Sequence, residues 1–343
     1  MNKRLENEIS VSYSAMIKGI AVVLMVLHHG LGLPAEWFEE GLGFGQIVIG
    51  SHRLYELVGN PLKICVSLFA FLTGYSYYKK GQYTFQYSIK KSVKLLVKYW
   101  IVLFLIFYPA GYFISGHVPE MKELIFNLFS IHQRAVSFSW YVLFYVLCMC
   151  SLPFLVRLVT KNKWIDFLML PAVCTAMLHI LDKIVIQKWY LIADIRDYFY
   201  WLPIVWIGYL VAYYQLFEQI TWKVNRWIYL MPMVLIPILR GLRSEIYGLN
   251  LDIIYAPIFI FSIKMLIKEN SAVFKAFTFL GQYSMYIWFL HALFFWEKTR
   301  KVLQPIVYGS HNIVISMFFL LTLSLIMAIL IERLTKVSCT EYL

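Results

Sequence analysis

Long apolar segments recur along the whole sequence and restrict what it can fold into. Crossing the hydrocarbon layer of a bilayer takes about 20 helical residues. Hydrophobic residues make up 61% of the chain and charged residues 15%, whereas soluble domains average about 45–50% and about 25%. The sequence therefore predicts an all-α fold, a polytopic membrane protein built as a bundle of about ten transmembrane helices. The predicted helices lie near residues 15–33, 61–78, 95–115, 138–158, 164–181, 198–214, 227–240, 251–267, 280–297 and 310–331.

The basic residues indicate how this bundle lies in the lipid bilayer. With a cytoplasmic N-terminus, most of the 31 Lys and Arg residues fall on the cytoplasmic side, most densely over 79–98. Positive residues concentrate on that side in membrane proteins. We therefore expect an N-in, C-in topology. The sequence has no internal repeat and no appended soluble segment, so we expect one transmembrane domain over residues 1–343 and no fused soluble domain.

Charge and cysteine usage exclude two other kinds of site. The net charge of +12 could suggest nucleic acid, but the cations lie between apolar segments and no nucleic-acid-binding motif accompanies them. Contact with anionic lipid explains them, and we expect no nucleic-acid partner. The five cysteines lack the spacing of metal ligands or of a disulfide framework. We expect no metal site and no permanently bound cofactor.

The first predicted helix carries two ionisable residues, Lys18 and His29, on one face. At about 100° and 1.5 Å per residue, their spacing leaves them about 20° apart around the axis and about 16 Å apart along it. Ionisable groups inside a membrane are costly and indicate a functional site. A cation near the cytoplasm could hold donor phosphates, and an imidazole deeper in could act as a general base. The alternative is that Lys18 extends to the interface and the histidines, His28 included, bond to backbone carbonyls.

Four further residues have both a structural and a functional interpretation. His291 lies within an apolar helix, where it could pair across helices or take part in chemistry. Trp140 and Tyr141 fit an aromatic belt at the membrane interface, or a platform for a sugar ring. Glu332 could pair locally with Arg333 or serve the site.

The order and spacing of these residues resemble the acyltransferase-3 family of membrane acyltransferases. In that family the first helix carries a basic residue, ten intervening residues and a histidine, which Lys18 and His29 match. Lys replaces the commoner Arg at position 18, Thr73 replaces a serine, and no proline follows Glu332-Arg333. The other similar segments are FAFLTGYSYYKK at 69–80 with the basic stretch 87–98, WYV from Trp140, the SxYxxxLH pattern from Ser284 to His291, and Glu332-Arg333.

The resemblance implies a donor such as acetyl-CoA, used from the cytoplasm, and an acceptor hydroxyl on a capsular or other cell-surface polysaccharide or its lipid-linked precursor. It implies a multi-pass protein of a bacterial plasma membrane, with His29 catalytic and Lys18 in contact with the donor. The basic stretch predicts further donor contacts from Lys79, Lys80, Lys90 and Lys91. The candidate supporting or acceptor-side residues are His28, Trp140, Tyr141, Ser284, His291 and Glu332.

Several alternatives stay open at this point. His29 could deprotonate the acceptor hydroxyl or take up the acyl group itself. A chain of this type could also be a proton-coupled exporter of a glycan or lipid, although transporters often carry internal repeats. It could equally be a non-catalytic subunit of a glycan-synthesis complex. The partners expected for the enzyme are acyl-CoA, the glycan acceptor and the bilayer, and a homo-oligomer is left open.

Overall fold

The protein is a bundle of helices with two small hairpins. The computed structural model describes residues 8–131, 138–184, 190–220 and 225–339. The hairpins are antiparallel, with Val48 opposite Arg53 and Glu245 opposite Asn250. Their strands are β1 (Val48–Ile49), β2 (His52–Arg53), β3 (Glu245–Ile246) and β4 (Leu249–Asn250). The helices are α1 (Val11–Gly32), α2 (Leu54–Leu62), α3 (Ile64–Lys80), α4 (Phe85–Val102), α5 (Tyr108–Ser115), α6 (Met121–Leu128), α7 (Trp140–Leu155), α8 (Lys163–Ile184), α9 (Tyr190–Tyr213), α10 (Leu216–Gln219), α11 (Leu230–Leu242), α12 (Asp252–Leu266), α13 (Ala272–His291), α14 (Arg300–Tyr308) and α15 (Ile313–Cys339).

Helices that could span a membrane confirm the all-α class. Within the described residues, six helical segments are long and apolar enough to cross a bilayer, and they coincide with six of the predicted spans. α11 and α12 have 13 and 15 residues and are short for a full crossing. The count of about ten and the N-in, C-in orientation therefore stay predictions. The six segments are Val11–Gly32, Leu54–Lys80, Phe85–Ser115, Trp140–Leu158, Lys163–Lys183 and Ile313–Thr335.

Two helix starts differ from the predicted ones because side-chain caps, rather than hydrophobicity, set them. Ser271 accepts a hydrogen bond from Phe274 N at 3.1 Å, so α13 begins well before the apolar window 280–297 and ends at His291. Thr84 likewise accepts from Tyr87 N at 3.2 Å. Serine and threonine favour this position because they satisfy amide groups that the first turn leaves unpaired. Most of the basic stretch 79–98, which lies largely between two predicted spans, is thus helix α4.

Two glycines let α1 and α13 cross at backbone contact. A Cβ atom on Gly19 would overlap the carbonyl of Phe277, and one on Gly281 would overlap the carbonyl of Ala15. Small residues at such crossings are typical of membrane helices, because they let two backbones approach closely. α1 packs more extensively on α13 than on its other neighbours. The crossing therefore fixes α1 against α13 and brings the C-terminal ends of both helices together.

Candidate functional site

A cavity of about 310 Å³ lies between α1, α3, α4, α7 and α13. Pockets of this size are typical of small-molecule and cofactor sites. Lys18 and His29 both line it, as their shared helix face predicts. The cavity has a cationic end near Lys18 and an imidazole end near His29. Its lining comprises Lys18, Met25, His28, His29, Lys63, Cys65, Val66, Phe69, Thr73, Lys91, Lys94, Leu95, Lys98, Phe138, Trp140, Tyr141, Tyr145, Ser284, Met285 and Trp288.

At the imidazole end, two histidines from different helices form a pair. The distance from Nδ1 of His29 to Nε2 of His291 is 2.7 Å, a short hydrogen bond. Phe138 stacks on His29, with ring centroids 3.8 Å apart and planes within 10°. His291 is fully buried, whereas His29 keeps part of its surface open to the cavity. The pair thus consists of an inner ring sealed in protein and an outer ring that a ligand can reach.

The hydrogen bonds of the pair determine where the protons lie. Nδ1 of His291 is 3.2 Å from the carbonyl oxygen of Ile287, one turn back on α13. A carbonyl only accepts, so Nδ1 of His291 carries the proton and its Nε2 accepts in the neutral ring. Nδ1 of His29 must then donate to that Nε2, which leaves the lone pair of His29 on its own Nε2. A neutral His29 is thereby held in the tautomer that can take a proton at Nε2.

Ser284 of the SxYxxxLH pattern lies about two helix turns before His291. It lines the cavity, but its hydroxyl donates to the carbonyl oxygen of Gly281 at 2.9 Å. Gly281 is one of the two glycines at the α1–α13 crossing. Ser284 therefore stabilises the helix next to the crossing, and its hydroxyl proton is already used.

At the cationic end, Lys18 of α1 faces three lysines of α4. Lys91, Lys94 and Lys98 follow an i, i+3, i+7 spacing, which places them on one face of a helix. Lys18 and Lys91 are near enough to repel each other electrostatically. Lys98 Nζ lies 3.6 Å from Glu332 Oε2. Several cations converging on one cavity suit a ligand with multiple phosphate charges.

A family model described as an acyltransferase domain, that of acyltransferase-3, matches residues 12–333. The chain belongs to the acyltransferase-3 family. Neither the curated proteins nor the solved structures contain a significant match to it. The family match runs through both ends of the cavity, and the protein is a membrane acyltransferase.

Three of the expected donor residues of this acyltransferase-3 protein lie outside the cavity, so their contact with the donor stays a prediction. Lys79 does not line the cavity, because it pairs with Glu8 at 2.9 Å and Glu218 at 3.4 Å. Lys80 and Lys90 are exposed and also lie off the cavity. A helix turns about 100° per residue, so α4 directs Lys90 away from the cavity that its neighbour Lys91 lines.

Glu332 lies near a residue of another helix. Its carboxylate is 3.6 Å from Lys98 Nζ, across helices α15 and α4, whereas the sequence left open a local pair with Arg333 or a place at the site. Since Lys98 lines the cavity, Glu332 touches the site of this acyltransferase-3 protein through that lysine.

Aromatic and basic residues surround the imidazole end. Trp140 and Tyr141 line the cavity from the start of α7, and Trp140 contacts Trp201 with ring centroids 5.9 Å apart. His28 also lines it, with its ring centroid 4.8 Å from that of His29. The remaining cavity-lining cation is Lys63, between α2 and α3.

Sequence reasoning did not single out Lys63, Lys94, Lys98 or Phe138 in this acyltransferase-3 protein. For Lys94 and Lys98 a signal was present, since their spacing from Lys91 is helical. Lys63 and Phe138 reach the site only through tertiary packing, which no local pattern predicts.

Proposed function

We propose that the protein moves an acetyl or other short acyl group from cytoplasmic acyl-CoA to a hydroxyl of a cell-surface or capsular polysaccharide or its lipid-linked precursor. One observation carries this proposal: a single cavity joins a cluster of lysines to a histidine whose lone pair is fixed on Nε2. The cations suit a polyphosphate donor, and the imidazole suits activation of a hydroxyl.

The donor lies along α1 in this proposal. Its phosphates contact Lys18, Lys91 and Lys94, because coenzyme A carries a pyrophosphate and a ribose phosphate. The pantetheine arm then covers the rise of about 16 Å between Lys18 and His29 along the helix. This arrangement brings the thioester to the imidazole end, where Phe138 covers one face of the His29 ring and restricts water.

Transfer is direct in this mechanism. His29 Nε2 takes the proton from the acceptor hydroxyl as its oxygen attacks the thioester carbonyl carbon and forms the new C–O bond. The tetrahedral intermediate collapses with cleavage of the C–S bond. The leaving thiolate takes the proton back from His29, so the products are an ester and free CoA thiol. His291 does not exchange protons with substrate; its Nε2 holds the protonated His29 ring in place.

The test is an assay of the purified protein in lipid nanodiscs with radiolabelled acetyl-CoA and a glycan-lipid extract. Release of CoA thiol and labelled product are followed together. General acid–base catalysis contributes typically about 10²–10⁴-fold, so we expect His29→Ala to lose at least about 100-fold in kcat. The matched control is His52→Ala, since His52 is exposed in the β1–β2 hairpin.

Two outcomes contradict the proposal. Full activity of His29→Ala removes that residue from the mechanism. If a glycan lipid moves across the bilayer while neither acetyl-CoA nor any other acyl-CoA is consumed, the protein is a transporter instead.

A further inference from the structure

Lys63 places a positive charge at the imidazole end, from a different part of the chain than the lysines of α4. It sits at the break between α2 and α3 and lines the cavity together with His28 and His29. Its Nζ lies 5.9 Å from the centroid of the Trp201 ring. Lys63 acts electrostatically on both His28 and His29, so its charge is felt at the reacting end.

Lys63 has no close counter-ion in the described part of the chain, where no carboxylate lies within 4.0 Å of its Nζ. The buried carboxylate of Asp252 is already satisfied. Arg240 Nε donates to both of its oxygens at 3.0 and 3.1 Å, and Ser67 donates to one of them. Arg240 repels Lys63 electrostatically, whereas Asp197 and Asp252 attract it from beyond 4.0 Å.

A cation in a low-dielectric cavity is unfavourable without a partner. An anion supplied by a ligand would relieve that cost at Lys63. The phosphates of the donor have their own cations at the other end of the cavity, so the anion at Lys63 must come from elsewhere. The aromatic rings of Trp140 and Trp201 beside it favour a ligand with one apolar face, such as the C–H face of a sugar ring.

We propose that Lys63 and Trp140 form an acceptor subsite for an acidic sugar. Lys63 binds a carboxylate or phosphate of the sugar, Trp140 packs against its ring, and a neighbouring hydroxyl is thereby held at Nε2 of His29. This proposal depends on the proposed function in one respect: it assumes that the acceptor hydroxyl reacts at His29. It names the acceptor class that the sequence alone left open.

The test compares two glycosides that differ only in charge: phenyl β-D-glucuronide and phenyl β-D-glucoside. Their binding to the purified protein in nanodiscs is measured by calorimetry without acyl-CoA. A charge-assisted hydrogen bond contributes about tenfold or more in affinity, so we expect the glucuronide to bind about tenfold more tightly. Lys63→Gln should abolish this preference and Lys63→Arg should retain it. Lys90→Gln, which removes an exposed lysine outside the cavity, should leave it unchanged.

Three results overturn the subsite: equal affinity for the two glycosides, no binding of either, or an undiminished preference in Lys63→Gln. A second arm separates the acceptor from the acyl group as the source of the anion. If Lys63→Gln slows turnover of succinyl-CoA but not of acetyl-CoA and leaves glucuronide binding intact, Lys63 serves a carboxylate on the acyl chain and the acceptor proposal fails. Because the binding assay contains no acyl-CoA, a glucuronide preference with no acyl transfer contradicts only the proposed function.

Discussion

The two ends of the cavity hold their residues in different ways. At the cationic end, lysines from α1 and α4 approach one another on long side chains, and Lys94 reaches solvent. At the imidazole end, the ring planes of His29 and His291 are parallel within 4° and the rings are bonded at 2.7 Å, with Phe138 stacked against both. Attraction of phosphates falls off gradually with distance, whereas proton transfer needs a particular atom in place. The comparison indicates that the cationic end attracts charged groups, whereas the imidazole end holds reacting atoms in fixed positions.

The largest effect on kcat should come from removing the hydrogen bond that fixes His29 at the imidazole end. His291→Phe keeps an aromatic ring next to Phe138 but removes the acceptor for Nδ1 of His29. The His29 tautomer is then no longer fixed, and we expect kcat to fall about 100-fold, within the range for general acid–base catalysis. KM for acetyl-CoA should stay within about twofold, because the lysines are untouched. Initial rates over a range of acetyl-CoA concentrations measure both constants.

His291→Gln is the matched variant for this position. Its amide oxygen can accept from His29, so it should recover part of the lost kcat. If both variants lose the same activity and also melt at a lower temperature, His291 has a structural role only. A rise in KM with unchanged kcat would contradict the assignment of donor binding to the cationic end and of the reaction to the imidazole end.

A smaller effect of the opposite kind should follow from removing charge at the cationic end. We expect Lys18→Gln to raise KM for acetyl-CoA about tenfold, the value of one charge-assisted hydrogen bond, with kcat nearly unchanged. The effect should shrink as salt rises, because this end is partly open to solvent. Lys80→Gln is the control, since Lys80 is exposed and off the cavity. Equal effects of the two substitutions would show that only the overall basic surface matters.

The part of this site that could be predicted from sequence lies within single helices. Lys18 and His29 share a face by helical geometry alone, and the structure places both on one cavity. Most predicted spans coincide with helices for a similar reason, since the length of an apolar run is a local property. What Lys18 and His29 do in the reaction stays a prediction.

The part that could not be predicted depends on contacts between helices. The bond from His29 to His291 joins residues far apart in sequence and exists because Gly19 and Gly281 let α1 and α13 touch. Lys90 lies off the cavity for a local reason, namely that the cap at Thr84 starts a helix with one face toward the cavity, whereas Lys80 ends the preceding helix α3. The helical period over residues 85–98 places Lys91 and Lys90 on different faces, so this difference could have been predicted from sequence.

The smallest effect should come from substituting Glu332. Whether KM for acetyl-CoA or kcat changes shows whether Glu332 belongs to the cationic end or to the imidazole end. The carboxylate lies 3.6 Å from Lys98 Nζ and partly offsets the charge of a lysine that lines the cavity. Glu332→Gln keeps the shape of the side chain but removes the negative charge, which leaves more of the Lys98 charge for the donor. Partly exposed ion pairs contribute about 0.2–1 kcal/mol, so we expect KM for acetyl-CoA to fall about twofold while kcat stays constant.

Lys98→Gln should raise KM instead, and adding Glu332→Gln to it should cause no further change, because the two residues act through one pair. If Glu332→Gln lowers kcat and leaves KM unchanged, the carboxylate belongs to the reacting end, and the separation between a binding end and a reacting end is wrong.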